Sequence, residues 1–177
     1  MELKIKRISD SAEIPVKAHE GDACYDIKAD ESIFLFPQHT HAVSTGLKFG
    51  VPNGYEVVIR PRSGISLKTP IRVANAPGTI DENYKGEIKV ILHNCAQLID
   101  DPRNNVYYDL SGKSYRFSSP EMNAMKITTL PWGTIKINKG DKIAQFKLDK
   151  LTPTEIVETD NIGESDRGEG GFGSSGI

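Results

Sequence analysis

The sequence predicts an all-β fold, a sandwich or barrel built from short strands. Three observations carry that expectation. Stretches of about four to eight residues alternate apolar with polar side chains or are rich in Val and Ile. Turn-forming residues separate them, with 16 glycines and 10 prolines among 177 residues. No long stretch shows the 3.6-residue period of an amphipathic helix.

Leu3 to Ile8 is the first such stretch, with Leu3, Ile5 and Arg7 on one side and Lys4, Lys6 and Ile8 on the other. Tyr55 to Arg60 follows the turn Pro52-Asn53-Gly54 and stops at Pro61, which has no N–H to continue a ladder. Glu87 to Leu92 follows Tyr84-Lys85-Gly86. Near the end, Ile135-Lys136-Ile137 and Asp141 to Leu148 flank the turn Asn138-Lys139-Gly140. The one helical signal is Ser119-Pro120-Glu121-Met122, a capping serine followed by proline at the first helical position.

A chain of this length makes one domain. Its body is expected over residues 1–162, with 163–177 as a mobile flap holding six glycines. Residues 97–132 break the rhythm of strands. They are polar and irregular, their four acidic and four basic residues cancel, and they carry Tyr107, Tyr108, Tyr115, Phe117, Met122 and Met125. This stretch reads as an insertion that packs on itself or on something else, and any protein partner is expected there, since exposed Tyr and Met favour interfaces.

The charge balance excludes a general nucleic-acid coat. The chain has 22 basic and 24 acidic residues, and no stable nucleic-acid binding is expected. No apolar run approaches the ~20 residues of a membrane helix. Met1 to Lys6 shows no secretory apolar core. Cys24 and Cys95 lie far apart without metal-type spacing, so a reducing, cytoplasmic setting is expected.

Three stretches are costly for a purely structural protein. In Arg60-Pro61-Arg62-Ser63-Gly64-Ile65-Ser66, guanidinium, hydroxyl and a glycine turn suit phosphate oxygens, although such a turn is more often plain solvated surface. In Asn75 to Gly86, Pro77 and Gly78 border a short β-like piece whose backbone is open to a ligand edge. Asp81 follows an apolar residue there, suited to orienting a water; the ordinary alternative is a hairpin with Asp81 capping its own turn. Arg167 to Gly176 sets one Arg and one Phe among glycines, which fits a flap that stacks and pairs with phosphate as well as a disordered tail. His19, His39, His41 and His93 form no ligand pattern, and no Ser/His/Asp or Cys/His set points to covalent catalysis.

In this order the stretches resemble the five motifs of the trimeric dUTP pyrophosphatase (dUTPase) family. Motif one resembles Asp22 to Ile27 and motif two Pro61-Arg62-Ser63-Gly64. Motif three resembles Gly78-Thr79-Ile80-Asp81 with Tyr84-Lys85-Gly86-Glu87. Motif four resembles Gly140 to Gln145, and motif five Arg167 to Gly176. Cys24 stands where the family usually has Gly, and Lys85 where Arg is frequent. Residues 97–132 have no counterpart in short members, and the extra segment tilts the resemblance toward phage-encoded relatives.

The resemblance implies a distorted jelly roll assembled as a homotrimer with sites at subunit junctions. It implies hydrolysis of dUTP to dUMP and pyrophosphate with Mg²⁺. By position, Gly78, Thr79, Ile80 and Asn75 would read the uracil edge. Tyr84 would lie against the deoxyribose, and Asp81 would hold the attacking water. Arg62, Ser63, Gly64 and Gln145 would hold phosphates, Lys89 would join the substrate contacts, and Asp26 would act on the metal through waters. Phe172 would stack on uracil beside Gly173, while Arg167 and Ser174 close over the phosphates. Two rivals remain at this point. The dCTP deaminase branch uses a glutamate on the strand after motif three, where Ile91 stands here; a regulatory protein of the same fold would use residues 97–132 for a partner.

Overall fold

The structure is a computed structural model, and it describes residues 1–99, 105–126, 129–166 and 168–170. In chain order the described elements are β1 (Lys4–Arg7), β2 (Tyr25–Lys28), β3 (Ile33–Leu35), β4 (Thr40–Gly50), β5 (Tyr55–Arg60), α1 (Ser63–Lys68) and β6 (Ile71–Val73). There follow β7 (Gly78–Ile80), β8 (Ile88–Asn94), β9 (Val106–Tyr108), β10 (Ser114–Arg116), α2 (Ser119–Met125), β11 (Ile135–Ile137) and β12 (Lys142–Lys150). The all-β expectation holds, and the helix expected at Ser119 is α2.

Three four-stranded sheets result, ordered β1-β4-β8-β6, β10-β9-β11-β3 and β2-β12-β5-β7. The ladders are antiparallel except for the single parallel pair Ile135↔Tyr108 between β11 and β9. Strands alternate as a half-buried sheet must. On β8, Ile88, Val90, Leu92 and Asn94 are buried, which leaves Lys89, Ile91 and His93 on the other face. The main core gathers Ile27, Leu47, Phe49, Ile88, Leu92, Ile143 and Phe146 from different sheets, with the Phe49 and Phe146 rings 5.1 Å apart. Asn94 is fully buried and ties two sheets together. Its amide donates to the carbonyls of Leu35 and Gly133, both at 2.9 Å, and its oxygen accepts from the Ala96 N–H at 3.0 Å.

β4 is the longest strand, and no sequence signal marked it. The register slips between Ser44 and Leu47, so the alternation breaks in mid-strand. Gly46 sits in that bulge at φ +64°, where a Cβ would stand 2.7 Å from the Asp30 carboxylate and 2.8 Å from the Ala12 methyl.

Residues 97–132 hold a small core of their own. Tyr107, Phe117 and Leu130 are buried together, with Phe34 and Phe36 of the main body packed against them. Phe34 meets Tyr107 and Phe117 edge-on at 5.2 and 5.5 Å. Tyr107 and Phe117 therefore serve packing, while Tyr115 and Met125 are exposed. The stretch is anchored through β9 to β11, as well as packed on itself. Among the described residues no helix is long and apolar enough to cross a membrane. Among the described residues regular structure ends at Lys150, and residues 151–166 are exposed.

Candidate active site

Most of the predicted residues that the structure describes line two clefts. The first, about 390 Å³, is lined by Ala18, Asp22, Cys24, Asp26, Arg62, Ser63, Gly64 and Gln145 among others. Strand pairing creates it: Gln145 of β12 stands opposite Asp26 of β2 on one side and Arg60 of β5 on the other. The chain then leaves β5 through Pro61, and Arg62 caps α1 in extended conformation. This single helical turn is a correction to the sequence reading, which took Arg60 to Ser66 for a bare turn. The pattern that reveals it is Ile65 alone buried on a six-residue helix, too short to show a period.

The Asp26 charge in this cleft is paired. Arg62 Nε donates to Asp26 Oδ1 at 2.9 Å, and Lys142 Nζ approaches Asp26 Oδ2 at 2.7 Å. Gln145 Nε2 donates to the Pro61 carbonyl at 2.9 Å, which fixes the amide beside the Arg62–Ser63–Gly64 turn. Ser63 and Gly64 are exposed to the cleft. Lys142 escaped the sequence reading; its signal was its place in the strand pattern that also carries Gln145.

The second cleft, about 530 Å³, is lined by Ala42, Asn75, Thr79, Ile80, Asp81, Tyr84, Glu87, Lys89 and Ile91. Its floor is the outer face of β8, where alternation delivers Lys89 and Ile91. Its wall is β7, which among the described residues pairs only with β5 and stands at the edge of that sheet, so no described strand pairs with its other backbone edge. Asn75 folds over Gly78, whose Cβ, were there one, would stand 3.2 Å from the Asn75 amide nitrogen. The Ala76-Pro77 peptide between them is cis.

Asp81 is exposed, and no described group bonds its carboxylate. The turn it opens is closed by the backbone, Tyr84 N–H to Asp81 O at 3.1 Å. The self-capping alternative is thus not what the structure holds. Tyr84 donates its phenol proton to the Glu87 carbonyl at 2.9 Å. The Glu87 carboxylate accepts from Ser44 Oγ and from the Gly46 N–H at 3.0 Å. Burial pushes this carboxyl up, but those hydrogen bonds and the Lys89 cation outweigh burial and hold it below the ordinary glutamate value of 4.5. Glu87 is a wall residue that the sequence reading did not single out. Arg167, Phe172, Gly173 and Ser174 lie outside the described residues.

No residue lines both clefts. The register explains the separation. Ile80 pairs with Val57, so Asp81, just past the end of β7, lies level with Glu56 near one end of β5, while Arg62 lies past the other end. At ~3.3 Å per residue the stretch from Val57 to Arg62 spans roughly 15–20 Å.

A β-sheet body with an Arg–Ser–Gly turn beside one cleft and an aromatic, edge-strand wall beside another has the features of a nucleotide-phosphate-binding β protein. The dUTPase family model matches residues 10–99 and 124–176, well over half of the chain, and passes over 100–123 within the insertion. The chain belongs to the dUTPase family. It is 36% identical over 175 residues to a deoxyuridine 5′-triphosphate nucleotidohydrolase of Alkaliphilus metalliredigens, covering 99% of this chain and 97% of that one. Its fold superposes with a TM-score of 0.87 on a variant dUTPase of Staphylococcus bacteriophage 80alpha solved with dUpNHpp, 28% identical, with 99% of each chain covered. A variant dUTPase from phage phi11 of S. aureus, whose structure concerns a structural Mg(II) ion, superposes at 0.81 with 27% identity. That likeness covers 93% of this chain and all of the phage protein.

Proposed function

We infer that this chain hydrolyses dUTP to dUMP and pyrophosphate, an activity that keeps uracil out of DNA and supplies dUMP for dTMP synthesis. The observation that carries the mechanism is the division of the site. A water held by Asp81 must lie ~3–3.5 Å from the phosphorus it attacks. The Arg62 turn that suits those phosphates is roughly 15–20 Å away along its own chain. A second copy of the chain, bringing its Arg62 cleft to the first copy's Asp81 cleft, resolves this, and a homotrimer with three junctions is the assembly the family resemblance implies.

In that site the outer edge of β7, from Gly78 to Ile80, faces the uracil edge together with Asn75. Tyr84 walls the sugar, and Lys89 supplies a cation to the same cleft. Asp81, unpartnered and exposed, orients the water and takes its proton. The second copy's Arg62, Ser63, Gly64 and Gln145 neutralise and hold the phosphates, which is most of what phosphoryl transfer asks of a protein. Arg167, Phe172, Gly173 and Ser174 are assigned to a closing flap. Cytoplasmic action belongs to the same proposal.

The residues fit a Mg²⁺ that arrives with the triphosphate. Among the described residues no three His, Cys, Asp or Glu gather as a cage, and both Asp26 oxygens already face cations. Asp26 therefore suits contact through waters, as Mg²⁺ keeps several of its own. When bound, the ion would neutralise triphosphate charge. The deaminase rival meets Ile91 in the cleft wall, a side chain that cannot move a proton.

The test is pyrophosphate release from dUTP, dCTP, dTTP and UTP, each offered separately with Mg²⁺. Release from dUTP far above the others is expected. Ammonia from dCTP, or equal rates for dUTP and UTP, would refute the reading.

A further inference from the structure

The Tyr84 ring rests on Gly86. A Cβ at position 86 would stand 2.4 Å from Tyr84 Oη, 2.5 Å from Cζ and 3.0 Å from Cε2, far inside van der Waals contact. Gly86 is not among the residues at positive φ, so its backbone conformation does not demand glycine. What demands it is the ring. The far end of that ring is tethered as well, by the phenol hydrogen bond to the Glu87 carbonyl at 2.9 Å. Glu87 in turn is pinned to the β4 bulge through Ser44 and Gly46.

We propose that Gly86, with the Glu87 carbonyl, is the specificity-determining support of the sugar wall: it lets the Tyr84 ring lie flat across the turn where a 2′-hydroxyl would otherwise fit. This rests on reading the Asp81 cleft as the deoxyribose site. Gly86 and the Glu87 backbone act through Tyr84 and are positioning groups; neither touches the substrate. An alanine at position 86 is tolerated by the backbone and displaces the ring, because a side-chain end yields more readily than the backbone of the bend at Gly86.

The experiment compares kcat/KM for dUTP and for UTP, with Mg²⁺, in the wild-type protein, Gly86→Ala, Tyr84→Phe, Tyr84→Ala and Gly86→Ala/Tyr84→Ala. The Tyr84 ring resonance is followed in ¹³C-tyrosine-labelled protein without nucleotide, assigned by its loss in Tyr84→Phe. Gly86→Ala is expected to shift that resonance and raise the UTP/dUTP ratio by roughly tenfold. Tyr84→Phe keeps the ring but loses the tether, and is expected to raise the ratio about two- to tenfold. In the double variant, Gly86→Ala should add nothing to Tyr84→Ala. If Tyr84→Ala raises the ratio while Gly86→Ala leaves both ratio and resonance unchanged and Tyr84→Phe leaves the ratio unchanged, the support role is overturned and the sugar reading stands. If Tyr84→Ala leaves the ratio unchanged, the sugar reading itself falls. Should Gly86→Ala not fold, Tyr84→Phe decides alone, and an unchanged ratio there overturns the proposal.

Discussion

Arg62 and Asp26 meet Nε to Oδ1 at 2.9 Å although 36 positions separate them in the chain, and Lys142 takes the other Asp26 oxygen. The Asp26 side chain is only 11% exposed, so the carboxylate lies largely out of water between two cations. Asp26→Asn keeps the shape and removes the charge, leaving Arg62 and Lys142 facing a neutral amide. Both cations are partly solvated, so the expected loss is about 1–2 kcal/mol, below the ~3–5 of a fully buried broken pair. Urea unfolding of the variant checks this; unchanged stability would mean the pair is only a surface contact.

The Asp81 carboxylate carries no structural duty among the described residues. Asp81→Asn should therefore leave the unfolding free energy within about 0.5 kcal/mol of wild type. Turnover of dUTP should drop about 10²–10⁴-fold, the range of a general base. Because the proposed site is shared, co-refolding Asp81→Asn chains with Arg62→Ala chains should recover activity that neither has alone. No recovery would place both residues in one chain's site or outside the site altogether.

Glu87 supplies a pH signature. Its folded-state pKa lies below the ordinary 4.5, held down by Ser44, Gly46 and Lys89 against its burial. The carboxylate therefore contributes stability above pH ~4.5, and that contribution fades as pH falls through the depressed folded value. Glu87→Gln should be the less stable protein at pH 7, and the gap to wild type should shrink on acidification. Thermal midpoints from pH 7 down to pH 3 test this, and a gap independent of pH would deny the carboxylate that role.

Deletion of residues 98–131, rejoined by a short turn, should leave the main sheets folded and dUTP turnover retained. The main core draws its buried members from outside this stretch. The structure adds a cost that the sequence did not foresee. Phe34 and Phe36 lose the partners Tyr107, Phe117 and Leu130, and β11 loses its β9 neighbour. A lower melting temperature and some self-association are expected, both relieved by Phe34→Ser. Loss of folding altogether would show the insertion to be part of the main core.

Much of the fold was legible where local pattern and burial agree. β5, β8, β11 and β12 announced themselves because each alternates or runs β-branched between glycine or proline stops. The Arg62 turn and the Gly78–Asp81 edge were readable as candidates from residue type and spacing, and Gln145 only through the resemblance to the dUTPase family. β4 was not, because its bulge at Ser44–Leu47 shifts the period in mid-strand. Nor was α1, since six residues with one buried side chain show no helical period.

By itself the sequence determined that this chain is a β protein and marked candidate residues for its chemistry, because alternation, turn residues and side-chain chemistry are properties of neighbours. Only the tertiary structure decided how those residues group. Pairing Gln145 with Asp26 and Arg60 joins segments more than 80 positions apart, and no local signal encodes such a register. Pairing Ile80 with Val57 sends Asp81 and Arg62 to opposite ends of β5, which puts the candidate residues in two clefts. The burial of Tyr107 and Phe117 under Phe34 was decided in the same way. Apolar residues in an irregular stretch look alike on paper, and what they cover depends on which distant surface the folded chain presents to them.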